Sequence, residues 1–357
     1  MPVNMQQLYT EVCSEQNQPI NPFIAEILSQ TEEQELYAST LKLCGNNRLV
    51  QVQRVSDEDF LVLAQVLSKN SFITNLDLRY NRVTDNGAAH IATFLQNNSS
   101  VLCLNIMGNE IGTDGSEHIT KALHRNTTLL SLRMTGDKIG NKGGMLFASM
   151  LQINSTLEEL DLGDCDLGIQ SLIALATVLL QNKTLKSLNL NRPIFYVMQE
   201  DTTVHLSEML RVNSTLQELH LSKHEITDFG VQRLCDALHE NHTLKYLNLS
   251  WLSVVSNNIS GKGLQALAAA IKANNCLLYI YIWGNKINQE ASMAFSQLLQ
   301  SGRLSSSSTD VQPYVVDGRV CLAEIFHGLK KHYYWTPSYG MADDPICNST
   351  FAICNDY

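Results

Sequence analysis

The chain has 357 residues and a formal net charge of -10, with 44% hydrophobic and 17% charged residues. This composition excludes a disordered chain, and the length allows either one extended domain or two compact ones. The acidic balance argues against a nucleic-acid-binding protein, which needs a basic face, and no apolar run approaches the roughly 18 residues that a membrane span requires.

The N-terminal stretch is predicted to be helical. Residues 1–40 include NPFIAEILSQTEEQELYAS, an apolar segment with polar flanks, and we expect them to cap the exposed end of the structure that follows. The first residues, MPVNMQQLYTEVCSEQ, contain neither the basic nor the apolar region of a secretory signal. We therefore expect a protein that is not secreted.

From about residue 41 to residue 300 the chain repeats itself. A degenerate copy begins at Thr40, and later copies share a pattern seen in NSTLEELDL and NSTLQELHL. The first leucine-like residue of each copy recurs at intervals of 28 to 33 residues, at Ile73, Val101, Leu129, Leu157, Leu185, Leu216, Leu244 and Leu277. A regular period of this size predicts a solenoid of stacked units.

Six copies begin with the acceptor sequence for N-glycosylation, at Asn98, Asn126, Asn154, Asn182, Asn213 and Asn241. Each acceptor sequence is followed by the same leucine pattern, which a glycan would not require. The recurrence favours a structural role, in which the asparagine ends a helix in the left-handed conformation and the next residues lead into a strand. We therefore expect these sites not to be glycosylated.

Within a unit the hydrophobic period changes halfway. The first part, as in ITNLDLRYNRV from Ile73, alternates apolar and polar residues and predicts a short strand. The turn carries an asparagine in three units (Asn81, Asn109, Asn285) and another residue in three others (Asp137, Cys165, His224). A glycine six residues later then begins a helix, at Gly87, Gly115, Gly143, Gly230 and Gly263.

This motif, repeated eight times in register, resembles the leucine-rich repeat family and its ribonuclease-inhibitor-like subclass, whose units have about 28 residues. The resemblance implies an α/β leucine-rich repeat solenoid. Its parallel strands would line the concave face of a curved horseshoe, with the helices on the convex face.

Two units are longer than the others. NRPIFYVMQEDTT from Asn191 replaces the usual turn, and WLSVVSNNIS from Trp251 adds about five residues before the motif resumes at Asn257. Insertions in repeat proteins map to loops on one face, often the binding face, whereas neutral variation of loop length is the alternative.

The C-terminal part departs from the repeats. The Ser-rich residues 301–312 predict a linker, and residues 313–340 predict a β-hairpin cap with Asp317-Gly318 at its turn. Residues 341–357 show no pattern that can be assigned.

No catalytic motif is found, and no cofactor or metal is expected. The sequence lacks a phosphate-binding glycine loop, HExxH and GxSxG. Asp161, Asp164 and Asp166 do not have the spacing of a calcium loop, and His220 and His224 are interpreted as structural. Nine scattered cysteines without CxxC pairs predict mostly buried, reduced thiols and therefore an intracellular protein.

Strand alternation predicts which side chains face outward on the concave surface. The outward positions are polar and mixed in charge in the early and middle repeats and aromatic in the last ones. The candidate partner-binding residues are Arg79, Arg133, Glu159, Asp161, Tyr246, Tyr279, Tyr281 and Trp283. Aromatic residues with a polar tip are favoured interface anchors. The alternative is that the C-terminal hairpin or the loop at 251–256 covers the aromatic residues.

The predicted function is that of a non-enzymatic scaffold that binds protein partners. We expect it to be part of a larger assembly, with no small-molecule substrate, no direct nucleic-acid contact and no membrane. The repeats and tail together resemble a branch of the family that implies a nuclear, nucleolar and cytoplasmic protein of germ or stem cells. A subunit of a ciliary, axonemal assembly is also considered.

The alternative function is a GTPase-activating protein for a small nuclear-transport GTPase, a family that shares this repeat subclass. Those activators carry a strongly acidic segment after their repeats, whereas this chain has SGRLSSSSTD there. Ribonuclease inhibition, a third possibility, requires an acidic concave face, which Arg79 and Arg133 interrupt.

Overall fold

The structure is a computed structural model that describes residues 4–33, 40–195, 200–249 and 257–325. The described helices are α1 (Met5–Glu15), α2 (Pro22–Glu33), α3 (Asp57–Ser68), α4 (Asp85–Asn97), α5 (Thr113–Leu123), α6 (Gly140–Leu151), α7 (Ile169–Leu179), α8 (Asp201–Val212), α9 (Asp228–Glu240), α10 (Gly261–Ala273) and α11 (Gln289–Gln300). The predicted insertion from Trp251 and the predictions for residues 326–357 lie outside the described residues.

The described strands of the repeats are three residues long and follow one another in the order of the chain. They are β1 (Thr40–Lys42), β2 (Asn75–Asp77), β3 (Cys103–Asn105), β4 (Ser131–Arg133), β5 (Glu159–Asp161), β6 (Ser187–Asn189), β7 (Glu218–His220), β8 (Tyr246–Asn248) and β9 (Tyr279–Tyr281). Two further strands, β10 (Val311–Val316) and β11 (Arg319–Glu324), pair with each other.

The repeats divide into two compact units, the first ending at Glu159 and the second beginning at Leu160. In the first unit, the parallel register aligns Leu76 with Leu104 and Leu104 with Leu132. The second unit aligns Leu188, Leu219, Leu247 and Ile280 in the same way. These central apolar side chains are fully buried. The chain is therefore an α/β leucine-rich repeat solenoid, and the predicted fold class is confirmed.

In five repeats, the asparagine at the end of the helix joins its unit to the preceding one. Asn241 Oδ1 accepts the N–H groups of Thr243 and Leu244, at 3.0 and 2.8 Å, and its Nδ2 donates to the carbonyl of Leu210 at 2.7 Å. Asn126, Asn154, Asn213 and Asn274 make equivalent bonds. The Nδ2 atom to which a glycan would attach is thus a buried donor, which supports the structural interpretation of the acceptor sequences.

The predicted left-handed conformation of these asparagines is wrong. Asn98, Asn213, Asn241 and Asn274 end their helices in the extended conformation, with φ between -71° and -95°. The side chain, rather than a positive φ, explains the residue type. Only a short amide can accept two backbone N–H groups and donate to a neighbouring carbonyl at the same time.

The turn asparagines make a second set of bonds between units. Asn81 Oδ1 accepts the N–H of Val55 at 2.9 Å, and its Nδ2 donates to the carbonyl of Leu43 at 2.7 Å. Asn109 and Asn285 have the same pair of partners in their own repeats. Both backbone groups would otherwise be buried without a partner, at a cost of about 1–3 kcal/mol each.

Asp137 and His224 occupy the turn position with different chemistry. Asp137 Oδ1 accepts the N–H of Asn109 at 3.0 Å, and burial raises its pKa well above the usual value. His224 Nε2 donates to the carbonyl of Leu190 at 2.8 Å, and burial lowers its pKa to about 4, so the ring is neutral at pH 7. His224 is thus structural, as predicted.

The glycine of each unit lies where the helix of the preceding unit approaches. Asp85, in the first turn of α4, accepts the N–H groups of Gly112 and Gly115, at 2.6 and 2.9 Å. A Cβ atom on Gly115 would collide with this carboxylate. Asp57 makes the corresponding bond to the N–H of Thr84 at 2.8 Å, beside Gly87. The glycine leaves room for a cap supplied by the preceding repeat.

At the two ends, non-repeat elements contact the terminal repeats. The described helices α1 and α2 contact each other, α1 contacts α3, and Asn21 donates to Asp59 at 3.0 Å. Strands β10 and β11 pair antiparallel around Asp317-Gly318 and contact α11. The domain boundaries themselves remain predictions.

The segment whose serines suggested a linker is packed against the last repeat. The guanidinium group of Arg303 donates to the carbonyls of Ile271, Asn274 and Leu277. Leu304 and Thr309 are buried. The serines form a short 3-10 helix, Ser306–Ser308, whose N-cap is Ser305. The segment therefore belongs to the folded C-terminal end, because its few large side chains reach the repeat beside it.

Asp310 connects this segment to the last strand. Its carboxylate accepts the N–H groups of Ile282 and Trp283, at 2.9 and 3.0 Å. Burial raises the pKa of Asp310 to about 7, against the lowering effect of these amides, and Glu324 raises it further.

We predict that replacing Asn241 with Ala lowers the free energy of unfolding by about 2–3 kcal/mol, because two backbone N–H groups and one carbonyl lose their buried partner. Denaturant unfolding followed by circular dichroism measures the change. The control is Asn97→Ala, since Asn97 is exposed and bonds only within its own helix. Equal effects of the two substitutions would contradict the inter-repeat role of Asn241.

We also predict that Asp310 makes a contribution to stability that falls as pH rises from about 4 to about 7. The pKa of Asp310 is higher in the folded chain than the unfolded value of about 3.9, so its contribution is present at low pH and is lost as pH rises through about 7. The full effect is on the order of 4 kcal/mol. Thermal unfolding at several pH values measures it.

The matched variants for this experiment are Asp310→Asn and Asp317→Asn. Asp310→Asn removes this ionisation and with it the Asp310 part of the pH dependence, although the variant is less stable because its amide oxygen cannot accept both N–H groups. Asp317→Asn, in the exposed turn of the same hairpin, retains the wild-type slope. Identical slopes in all three proteins would exclude Asp310 as the cause.

Candidate functional site

In the first unit, four outward-facing side chains form a group that we call the charged surface. Its members are the predicted partner-binding residues Arg79, Arg133 and Glu159, together with Asp77 beside Arg79. Asp77 Oδ2 lies 3.2 Å from Nε of Arg79, and both side chains are 3% exposed. Arg133 Nε donates to Glu159 Oε1 at 2.8 Å, and its Nη2 contacts the same oxygen. Arg133 and Glu159 come from strands β4 and β5, so this ion pair joins two repeats.

The outward-facing cysteine of β3 lies beside this ion pair. Cys103 is aligned with Asn75 and Ser131 on the neighbouring strands. Burial raises the pKa of its thiol to about 11, the carboxylate of Glu159 raises it further, and Arg133 opposes this effect. The thiol is therefore protonated at neutral pH, which makes it a weak nucleophile.

In the second unit, aromatic side chains form the aromatic surface, which we define as His220, Tyr246, Tyr279 and Tyr281. The ring centroid of Tyr246 lies 6.1 Å from that of Tyr279 and 5.4 Å from that of Tyr281. The His220 ring lies 4.7 Å from Tyr246 on the other side. Parallel strands at regular spacing produce these contacts, because each ring is opposite or diagonal to the next.

His220 was missed as a member of this surface. The sequence interpretation separated it from the tyrosines as a structural histidine. The signal that could have found it is the register, since His220 takes the same position in β7 that Asn248 and Tyr281 take in β8 and β9. That position is diagonal to Tyr246, within reach of a large ring.

Trp283 and Asp161 are placed differently from the tyrosines. Trp283 follows β9, is half-buried, and its backbone N–H donates to Asp310. Asp161 is fully buried and accepts Nδ2 of Asn189 at 2.8 Å and the N–H of Gly163 at 3.0 Å. Asp161 therefore organises the strand end, where its carboxylate holds backbone and amide donors.

The rejected cation site of Asp161, Asp164 and Asp166 has no metal-like arrangement. Asp164 and Asp166 both have φ of 55°, the left-handed region, which places them in the tight turn after β5. Asp164 lies 3.6 Å from Nε of Arg192. Within the described ranges, no group of three or more His, Cys, Asp or Glu residues could hold a metal ion.

None of the described helices is long and apolar enough to cross a membrane.

The side chains of both surfaces are more buried than open strand positions would be. Arg79 is 2% exposed, Arg133 3%, Tyr246 3% and His220 0%. Tyr279, Trp283 and Glu159 are partly exposed. Outward direction along the strand thus did not mean exposure to solvent.

We predict that Arg133→Ala destabilises the first unit by about 3–5 kcal/mol, because the carboxylate of Glu159, whose side chain is 13% exposed, loses the buried guanidinium group that it contacts. Chemical denaturation measures the loss. The matched control is Arg211→Ala, because Arg211 pairs with Glu240 at 2.6 Å but both side chains are half exposed. That variant is expected to lose less than about 1 kcal/mol. Similar losses for the two arginines would show that the Arg133 pair is solvated.

Comparison with known proteins agrees with the repeat pattern. The family described as Leucine Rich repeat matches residues 69–92, 97–117, 125–148, 154–176, 212–235 and 252–268. Leucine-rich repeat-containing protein 34 of Homo sapiens is 51% identical over 405 aligned positions, which cover 98% of this chain and 87% of the relative. The protein of the same name from Rattus norvegicus is 49% identical, with 98% of both chains covered.

Among solved structures, the leiomodin-1 actin-binding site 2 matches with a TM-score of 0.36 and 23% identity, covering 44% of this chain and 88% of that chain. A likeness at this TM-score carries no argument about function.

Proposed function

Because the chain belongs to the leucine-rich repeat-containing protein 34 family, we propose that it is a non-enzymatic scaffold that binds a protein partner through the outward side of its strands. The observation that carries the proposal is the parallel register of the repeats, which holds corresponding side chains of successive strands in fixed columns. A preformed array of this kind binds without a large cost in ordering entropy.

The two units offer different chemistry, and the proposal is made for each by itself. The charged surface of the first unit has alternating acidic and basic groups, which suit polar recognition and orientation of a partner. The aromatic surface of the second unit has tyrosine rings with polar tips, together with the adjacent Trp283. Tyrosine and tryptophan are the residues most often found as interface anchors.

The proposed setting is the inside of the cell, in the nucleus, nucleolus and cytoplasm or in a ciliary axoneme. The cysteines support the intracellular part of this proposal, since the seven that lie in the described residues are free thiols and four of them are buried. Free, buried thiols are typical of a reducing compartment. The identity of the partner decides between the nuclear and the ciliary location.

We predict that Tyr279→Ala combined with Trp283→Ala reduces the recovery of stable partners at least tenfold. Both side chains are half-buried and partly accessible, so their removal takes away anchors while the core ring of Tyr246 stays in place. Quantitative proximity labelling in ciliated and in dividing cells measures recovery, and thermal unfolding verifies that the variant is folded.

The control for this experiment is Phe229→Ala, which removes an aromatic ring on the helix side. Phe229 is 50% exposed on α9, beside the guanidinium group of Arg233. We expect this variant to retain the partners. Full retention by the Tyr279 and Trp283 variant as well would place recognition on helices or loops and exclude the aromatic surface.

A further inference from the structure

The C-terminal hairpin of the second unit carries apolar side chains in solvent. Tyr314, Val315 and Val316 are consecutive in β10, and they are 48%, 68% and 47% exposed. Leu322 of β11, by contrast, is 7% exposed and lines one cavity together with Gln289 of α11. Three consecutive exposed residues of high β-propensity form the kind of strand that folded proteins normally shield.

The turn of the hairpin determines which backbone groups of β10 point outward. Asp317 and Gly318 have φ of 49° and 74°, as in a two-residue type I′ turn. Val316 therefore exchanges hydrogen bonds with its partner across the turn. Hydrogen-bonded and non-hydrogen-bonded pairs alternate along an antiparallel ladder. The next pair, Val315 with Val320, thus directs its N–H and C=O groups away from the hairpin.

The outer edge of β11 is already occupied by a side chain. In the amide orientation that satisfies both groups, the carboxamide oxygen of Gln289 accepts the N–H of Val320 and the nitrogen donates to the Val320 carbonyl, each at 3.1 Å. A primary amide that accepts and donates in this way replaces the peptide group of a neighbouring strand. These two bonds also show that Val320, and hence its partner Val315, directs its backbone groups outward.

The edge of β10 has no such occupant among the described residues. The N–H and C=O groups of Val315 have no hydrogen-bond partner in that part of the chain. Pro313, at the next outward position, offers a carbonyl and no N–H. Proline is compatible with this position because no bond within the ladder is lost. Between these two residues the edge presents one donor and two acceptors, spaced as in an open β-sheet.

The size of this edge determines what can occupy it. If Tyr314, Val315 and Val316 were all as large as tyrosine, their exposed fractions would amount to about 330 Å². A stable contact between two folded proteins needs ~800 Å² from each, so a second copy of the chain that pairs through β10 has too small an interface. An extended segment has a different requirement, because main-chain hydrogen bonds provide affinity in strand addition and side-chain contacts provide specificity.

We propose that β10 is the docking site for an extended segment of a protein partner, which pairs antiparallel with residues 313–316 as a third strand of the hairpin sheet. The segment residue opposite Val315 exchanges both backbone hydrogen bonds with it. The two flanking residues lie opposite Tyr314 and Val316, with Cα atoms about 4.5 Å apart. β-branched or aromatic residues at these three positions give favourable cross-strand pairs, so the segment is apolar over three consecutive residues.

This site goes beyond the scaffold function proposed above. It lies on the hairpin and uses backbone groups, whereas the charged and aromatic surfaces use side chains of the repeat strands. A partner needs no folded surface to bind it, since one unstructured segment is sufficient. Such a segment is ordered only on binding, and this ordering lowers its affinity.

The probe for the test is the synthetic peptide acetyl-KTVYVTE-amide, whose central Val-Tyr-Val supplies the three apolar residues. The peptide carries fluorescein on its lysine, and its binding to the full chain is measured by fluorescence anisotropy. We expect saturable binding to the wild-type chain. Absence of binding at millimolar concentration would overturn the proposal.

A modified probe separates backbone pairing from adhesion through side chains. A methyl group on the backbone nitrogen of the central tyrosine keeps every side chain but prevents donation to the Val315 carbonyl. We expect this peptide to bind at least tenfold more weakly. Equal affinities of the two peptides would show that side chains alone hold the probe, which contradicts strand addition.

Two substitutions change the edge in opposite directions. Val315→Pro removes the outward N–H but no bond within the hairpin, and we expect the probe to bind at least tenfold more weakly. Pro313→Val adds an outward N–H, and we expect the affinity to rise about fivefold. The matched control is Val315→Ala, which keeps the N–H and is expected to bind within about threefold of wild type.

Thermal unfolding verifies that each variant is folded. Wild-type affinity in Val315→Pro would place the probe elsewhere and overturn the proposal. If Val315→Pro is not folded, Pro313→Val decides, because an unchanged affinity in that variant also contradicts pairing at this edge.

A second copy and the scaffold function are tested separately. Sedimentation of wild type and Val315→Pro detects self-association, and a dimer that forms only in wild type would identify a second copy as the occupant and overturn the proposal. If the probe does not bind while partner recovery still depends on Tyr279 and Trp283, this inference fails and the scaffold function stands. If the probe binds and recovery does not depend on these two residues, the hairpin is a binding site and the aromatic surface is not.

Discussion

The buried asparagine amides that bridge neighbouring repeats are the interaction on which the rest of the structure depends. Each repeat is too small to bury its own apolar side, and stacked leucines alone do not determine register because apolar contact has no direction. The amides of Asn81 and Asn241 make directional bonds between repeats. Asn81 accepts and donates backbone hydrogen bonds across a repeat boundary, and Asn241 donates across the boundary while accepting two N–H groups of its own repeat. The first-turn carboxylate of Asp85 adds a third link on the helix side.

The register of the parallel strands determines which side chains meet in the candidate surfaces. Arg133 meets Glu159 because β4 and β5 hold them in consecutive repeats, 26 residues apart in the sequence. Tyr246 contacts both Tyr279 and His220 for the same reason. The side chains of both surfaces are therefore held in place by the repeat backbone. A binding scaffold needs this rigidity. Variation at the outward positions changes the chemistry of the surface and leaves the stack intact.

The turn position shows how much chemical variation this arrangement accepts. Asn81 uses both ends of its amide, whereas Asp137 can only accept and His224 donates from a neutral ring. Burial favours the neutral form of both substitutes, which raises the pKa of Asp137 and lowers that of His224. The stack accommodates a changed amide partner provided that the replacement does not bring an unpaired charge into the interior.

The sequence by itself determined the period, the strand and helix of each repeat, the turn asparagines and the outward columns, because all of these depend on contacts within a unit or with the next unit. Tertiary structure decided that Arg79, Arg133 and Tyr246 are buried, that His220 joins the tyrosines, and that the Ser-rich segment packs through Arg303 and Asp310. It also showed that the helix-ending asparagines act through their side chains in extended backbone. Alternation along a strand gives the direction of a side chain, but exposure depends on chain segments far away in sequence, and no local pattern reports their position.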